Sequence, residues 1–250
     1  MKIAYHRQGK GPPVLLIHGV GGAASNWGPI SAALGANHDV IAMDLRGHGG
    51  SDLIAGPLDA YEMARDALQV LDECDVAQCA VVGLSLGGAV ALALALDYPE
   101  RVARLAVIGT VCGRTPEEKR RALDRVAFLK THGLAALADS NRERWFTDAF
   151  RQAHPDVVER RVAQVKNCDP ASYLHAFTVF CTADFADRLA EIGVPTLVIT
   201  GEHDLAATPR MAMLMAEGIG ECRMHVLPGL RHSVLIEAPA QVGALLEAFL

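Results

Sequence analysis

The chain has 250 residues, 51% hydrophobic and 21% charged, which suits one domain with a full core and excludes a disordered protein. A formal net charge of −6 argues against a nucleic-acid partner. The six cysteines (Cys74, Cys79, Cys112, Cys168, Cys181, Cys222) form no C-x-x-C pair and no metal-ligand spacing with histidine, so they are expected as small buried side chains rather than metal ligands.

Residues 1–19 hold one short apolar run before a glycine, too short for a signal-peptide core or for the ~20 apolar residues of a membrane span. A cytoplasmic protein without a membrane partner is the expectation. Pro12 and Pro13 introduce a buried strand, Val14 to Ile17, which runs into His18-Gly19-Val20-Gly21-Gly22. Such a glycine-rich loop exposes backbone N–H groups, and that of Val20 is a candidate oxyanion donor. Neither G-x-G-x-x-G nor G-x-x-x-x-G-K-[ST] can be read here, which disfavours a phosphate-binding loop.

Asp39 to Met43 reads as the second strand, followed by a polar turn, Asp44 to Asp52, whose Asp44 and His48 are expected to hold the local backbone rather than to react. Tyr61 to Leu71 repeats apolar residues at helical spacing and delivers the chain to a strand around Ala80 to Val82. The segment Cys79 to Leu96 then passes through Gly83-Leu84-Ser85-Leu86-Gly87 into an alanine-rich helix. A G-x-S-x-G elbow holds its serine in a strained turn where only small neighbours fit, at the N-terminus of a helix. Ser85 is therefore the candidate nucleophile and the N–H of Leu86 the other candidate oxyanion donor.

Val102 to Ile108 is the next strand, and no carboxylate follows it before Arg114. From Arg114 to about Asp187 the pattern changes to charged helices with no good strand, the expectation being a helical cap (114–187) inserted in a core made of 1–113 and 188–250. Thr196 to Thr200 restarts the sheet and leads to Glu202-His203-Asp204; a helix over Pro209 to Gly218 precedes a last strand, Cys222 to Leu227. After it come Pro228-Gly229-Leu230-Arg231-His232-Ser233 and a closing helix, Ala238 to Leu250. Parallel strands joined by helices predict an α/β, doubly wound, mostly parallel sheet.

Three strand ends thus offer Ser85, Asp204 and His232 in the order nucleophile, acid, base. A serine hydroxyl needs an imidazole to take its proton, and the imidazole needs a carboxylate to fix its tautomer. Glu202 competes with Asp204 for the acid, and His18 is expected to shape the loop that contains it rather than to serve as base.

Through HGVGG, DLRGHGGSD, GLSLGG, GEHD and PGLRHS the chain resembles the α/β-hydrolase superfamily over nearly its whole length. Within it, GLSLGGAVALALALDYPERVARLAVIG, RWFT and DRLAEIGVPTLVITGEHDLAATP are most similar to the 3-oxoadipate enol-lactonases, which hydrolyse an enol-lactone in aromatic catabolism with no cofactor or metal. The resemblance implies Ser85, Asp204 and His232 as the triad, with Val20 and Leu86 as backbone donors. Esterases, cofactor-free perhydrolases and C–C bond hydrolases share these motifs, and some relatives keep a triad yet act as small-molecule receptors. Haloalkane dehalogenases and epoxide hydrolases are disfavoured because they carry aspartate at the place of Ser85.

The expected substrate is a small ester or lactone, of anionic character. Between Arg114 and Lys166, twelve Lys or Arg stand against eight Asp or Glu, an excess that Asp169, Asp184 and Asp187 reduce when the segment is extended. Arg142, Arg144 and Trp145 are the candidate substrate contacts, although charges on such helices are usually a solvated face.

Overall fold

The computed structural model describes residues 1–250. Seven strands form one sheet: β1 (Tyr5–Gly9), β2 (Pro13–Ile17), β3 (Asp39–Met43), β4 (Cys79–Leu84), β5 (Val102–Ile108), β6 (Thr196–Gly201) and β7 (Cys222–Leu227). Their order is β1-β3-β2-β4-β5-β6-β7, with β1 antiparallel to β3 and every other pair parallel. The strand β1 has no sequence signal, because its side chains are mostly exposed at the sheet edge and carry no apolar alternation.

Central strands are buried on both faces, so β2 and β4 read as continuous apolar runs. Alternate residues serve two cores: Leu15 and Ile17 face the larger cluster, Val14 and Leu16 the smaller. Helices α1 (Gly28–Leu34) and α11 (Pro239–Phe249) pack together over the smaller core. On the opposite face lie α2 (Ala60–Glu73), α3 (Leu86–Asp97) and α9 (Pro209–Gly218). Asp59 and Glu62 form a reciprocal capping box that fixes the start of α2.

Five helices fall between β5 and β6: α4 (Pro116–Ser140), α5 (Arg142–Trp145), α6 (Asp148–Ala153), α7 (Pro155–Lys166) and α8 (Pro170–Thr182). Helices α5, α7 and α8 pack on α4, α6 packs on α7, and α8 rests on α3. Gly133, at φ 79°, bends α4 at the point where the sequence suggests a helix end, and the helix resumes beyond it. A short turn, α10 (Val234–Glu237), follows His232. No helix is long and apolar enough to cross a membrane.

Candidate active site

Ser85 stands between β4 and α3 with φ 55° and ψ −113°, a conformation L-residues rarely adopt and one that costs on the order of 1–3 kcal/mol. Its neighbours have to be small. A Cβ on Gly83 would fall on the carbonyl of Gly87, one on Gly87 would fall on that of Ile17, and one on Gly88 would meet Thr110. The Ser85 N–H donates to the Ile108 carbonyl at 2.8 Å, so β5 anchors the turn.

From the ends of β6 and β7 two loops bring Asp204 and His232 to this serine. His232 Nδ1 donates to Asp204 Oδ2 at 2.6 Å, and His232 Nε2 lies 3.2 Å from Ser85 Oγ. The other Asp204 oxygen accepts the N–H groups of Ala206 (2.8 Å) and Ala207 (3.0 Å), so a carboxylate only 2% exposed has three donors. With Nδ1 committed to that carboxylate, the neutral ring turns an acceptor toward the serine. Glu202 is placed elsewhere: exposed, it accepts the Gly229 N–H at 2.7 Å. Gly109, the residue directly after β5, lies so close that a Cβ there would be 3.4 Å from the His232 ring.

The loop His18–Gly22 runs beside Ser85, since a Cβ on Gly19 would approach that of Ser85 to 3.0 Å. Its shape is set by neutral histidines. His18 Nδ1 donates to the Gly19 carbonyl at 2.8 Å while Nε2 accepts the Leu45 N–H at 3.0 Å. His48 Nε2 accepts the Gly21 N–H at 2.9 Å, and Asp44 accepts those of Ala24 and Gly50. Burial pushes both imidazoles below the ordinary histidine range, His18 well below it. The Val20 N–H has no acceptor in the protein, and Leu86, as the first residue of α3, has no intrahelical one.

Above these groups lies a cavity of about 630 Å³, roofed by α4, α5, α7 and α8 and lined by Ser85, His232, Trp145, Tyr173, Phe177 and Phe180 among others. Five arginines line it against two carboxylates, Glu118 and Asp124. Both carboxylates are engaged, Glu118 by Arg210 and Asp124 by Arg120. Arg114 is buried and donates to the carbonyls of Phe180, Cys181 and Ala183.

Arg144 has no hydrogen bond or ion pair to another residue, and Arg125 donates only to Ser140 Oγ (3.1 Å) and Asn141 Oδ1 (2.6 Å). Burial holds both guanidiniums below the usual arginine range, and Arg144 adds to the depression at Arg125. Burial pushes the Cys181 thiol, beside Arg114, Arg125 and Arg144, up to about 12, which disfavours its thiolate.

Of the expected substrate contacts, Trp145 and Arg144 line the cavity and Arg142 does not. Arg142 turns outward and is consumed by Asp139 and Glu159. Two arginines that do line the wall, Arg125 and Arg161, escape a reading by local motif. Their signal is positional: Arg125 falls between Ala122 and Leu129, and Arg161 between Val158 and Val165, each in the apolar stripe of its helix.

A sequence model of the alpha/beta hydrolase fold family matches residues 12–239. The (E)-2-((N-methylformamido)methylene)succinate hydrolase of Acinetobacter baylyi is 28% identical over 248 residues, spanning 98% of this chain and 93% of its own length. 3-Oxoadipate enol-lactonase 1 of the same organism is 27% identical over 238 residues, spanning 95% and 88%. Among solved structures, the enol-lactonase from Burkholderia xenovorans LB400 superposes with a TM-score of 0.92 at 30% identity, covering 99% of this chain and 95% of that one.

Proposed function

The chain belongs to the α/β-hydrolase fold family, and from that premise we propose a serine hydrolase of carboxylic esters or lactones that works through an acyl-enzyme, with Ser85 as nucleophile. The observation that carries this reading is the line from Ser85 Oγ through His232 to Asp204, at 3.2 and 2.6 Å, under the cavity. His232 Nε2 takes the Ser85 proton as Oγ attacks the carbonyl carbon, while Asp204 stabilises the imidazolium. The N–H groups of Val20 and Leu86 receive the developing oxyanion. Collapse of the tetrahedral intermediate breaks the C–O bond and His232 returns its proton to the leaving oxygen; a water deprotonated by the same base then attacks the acyl carbonyl, the bond to Oγ breaks with the proton passed back to Ser85, and the acid is released.

The test is Ser85→Ala assayed on p-nitrophenyl acetate. Turnover is expected to fall ~10⁴-fold or more with the melting temperature kept, since the members of a triad act as a unit. A variant that holds more than about a tenth of the wild-type rate removes Ser85 from the role.

The segment of α4 to α8, residues 114–187, acts as a cap that sets the substrate. Of the wall arginines without a carboxylate partner, Arg114 and Arg161 donate to backbone carbonyls, whereas Arg144 has no partner and Arg125 only the neutral acceptors Ser140 and Asn141. Desolvated and mutually repelling, Arg125 and Arg144 favour a substrate carboxylate, which accepts from a guanidinium with bidentate geometry. The proposed substrate is therefore a small carboxylate-bearing ester or lactone, an enol-lactone of aromatic catabolism being the member nearest to the enol-lactonase relatives.

Comparison of a carboxylated lactone with its methyl ester checks this. For the anion, Arg144→Ala and Arg125→Ala should each lower kcat/KM by roughly 10- to 100-fold, the size of a lost charged hydrogen bond, with little change for the methyl ester. Equal turnover of the two compounds in the wild type, with a ratio that neither substitution alters, favours a general esterase.

A further inference from the structure

The loop that carries the Val20 N–H is held from below by the core and from above by a single side chain of the cap. On the core side, the Gly19 carbonyl accepts from His18 Nδ1 (2.8 Å) and from the Gly22 N–H (3.0 Å). Because a peptide unit is planar and trans, fixing that carbonyl aims the N–H of Val20 the opposite way. On the cap side, Arg161 of α7 donates from Nη1 to the Gly21 carbonyl at 2.6 Å and from Nη2 to the Val20 carbonyl at 3.1 Å. No other group donates to either carbonyl. Val20 is bracketed, its preceding peptide pinned by His18 and its following peptide held at the carbonyl by Arg161 and at the Gly21 N–H by His48 (2.9 Å).

Arg161 is itself locked. Its guanidinium carbon lies 4.9 Å from the centroid of the Trp145 ring, and Nη1 also reaches Gln164 Oε1 at 3.3 Å. It has no carboxylate partner, so its hydrogen bonds to the two loop carbonyls are its main compensation for leaving water. A turn further along α7, Gln164 exchanges two amide hydrogen bonds of 3.1 Å with Asn26, whose Oδ1 also accepts the Ala23 N–H. Gly21, at φ 65°, packs so closely beneath this helix and the next that a Cβ there would sit 2.9 Å from Val165 and Tyr173.

We infer that Arg161 is a positioning residue that ties cap helix α7 to the oxyanion loop, so that the Val20 donor, aimed from the core side by the Gly19 carbonyl, is held rigidly in that aim when the cap is seated. The inference rests on the serine-hydrolase reading of Ser85 and Val20. It separates the role of Arg161 from that of Arg125 and Arg144: the latter face the substrate, whereas the fork of Arg161 is spent on backbone.

The experiment uses p-nitrophenyl acetate, which has no carboxylate for the wall arginines, and a boronic acid, which forms a tetrahedral adduct on a nucleophilic serine. Arg161→Met should lower kcat by 10- to 100-fold with KM within about threefold, and should weaken the boronic acid by a like factor, because losing one oxyanion donor outright costs about 10²–10³. Arg161→Lys keeps the charge but lacks the fork and should recover part of kcat. Gln164→Ala keeps the Arg161 fork on the two carbonyls but removes its Gln164 acceptor and the link from α7 to Asn26, and should show a smaller fall of the same kind. The inference is overturned if folded Arg161→Met keeps its kcat, or if the loss falls on KM alone, which would make Arg161 a substrate contact. Should Arg161→Met not fold, Arg161→Lys and Gln164→Ala decide by the same split. Ser85→Ala run in parallel keeps the two readings apart: residual turnover there sinks the serine mechanism, whereas unchanged kcat in the Arg161 variants beside an inactive Ser85→Ala sinks this inference alone.

Discussion

His18 and His48 sit face to edge, 5.2 Å between ring centres, and each accepts a backbone N–H with one nitrogen while donating to a carbonyl with the other. Protonation would turn the accepting nitrogen into a donor facing a donor, so burial and geometry oppose the charge together. As each folded imidazole binds its proton less readily than the unfolded one, the unfolded chain takes up protons first once the pH drops below about 6.5. Stability is therefore full above that value and declines as the pH falls toward the depressed folded values. Denaturant midpoints measured between pH 7.5 and 5 should fall, and His48→Gln, which keeps an acceptor but does not titrate, should flatten part of the slope; an unchanged slope would relocate the acid sensitivity to other groups. Such residues are legible in sequence because a loop motif keeps its members close, as G-x-S-x-G does for Ser85. The same proximity fails for Arg142 and Arg144, which both lie within three residues of Trp145 but about 160° apart around a helical turn, one facing Glu159 and the other the cavity.

Among the elements, α3 is the most constrained: every residue from Leu86 to Leu96 is buried, and the helix has no polar face. Its small side chains let it lie close to β4 and β5, with α2 and α8 on its other sides. Ala93→Leu should therefore cost about 1–3 kcal/mol by overpacking, measured by chemical denaturation, whereas Ala127→Leu on the exposed side of α4 should stay within about 0.5 kcal/mol. Equal effects would mean that α3 has slack the packing does not suggest. The central parallel strands and α3 can be read from the chain as apolar runs bounded by glycine or proline, and α2 by its helical spacing of apolar residues. The edge strand β1 cannot, since its pairing with β3 is through backbone. For the helices between β5 and β6 the sequence gives helical character only; which side of each faces Ser85 depends on how α4, α7 and α8 pack together. That is why Arg125 and Arg161 become visible only in three dimensions.

At the scale of the whole molecule, the charges are sorted rather than merely counted. The net charge is −6, yet the cavity wall has five arginines against two engaged carboxylates. A neutral surface model would give an anionic ester and its neutral analogue the same encounter with Ser85, and the overall negative charge alone would disfavour the anion. On the proposed reading, low-dielectric walls concentrate the field of Arg125 and Arg144 into the mouth, and the local sign rather than the net one acts on an entering anion. Screening gives the measurement. Raising ionic strength from about 0.01 to 0.15 M shortens the Debye length from about 30 to 8 Å. Across that range kcat/KM for a carboxylated ester should fall several-fold, while that for its methyl ester stays flat. Arg144→Ala should reduce the salt slope for the anion, because the one wall cation with no hydrogen-bond or ion-pair partner is gone, and should leave the slope for the ester untouched. Parallel salt curves for the two substrates, or a rise for the anion as the net negative charge is screened, would place the steering field outside the cavity and remove the electrostatic support for a carboxylate-bearing substrate.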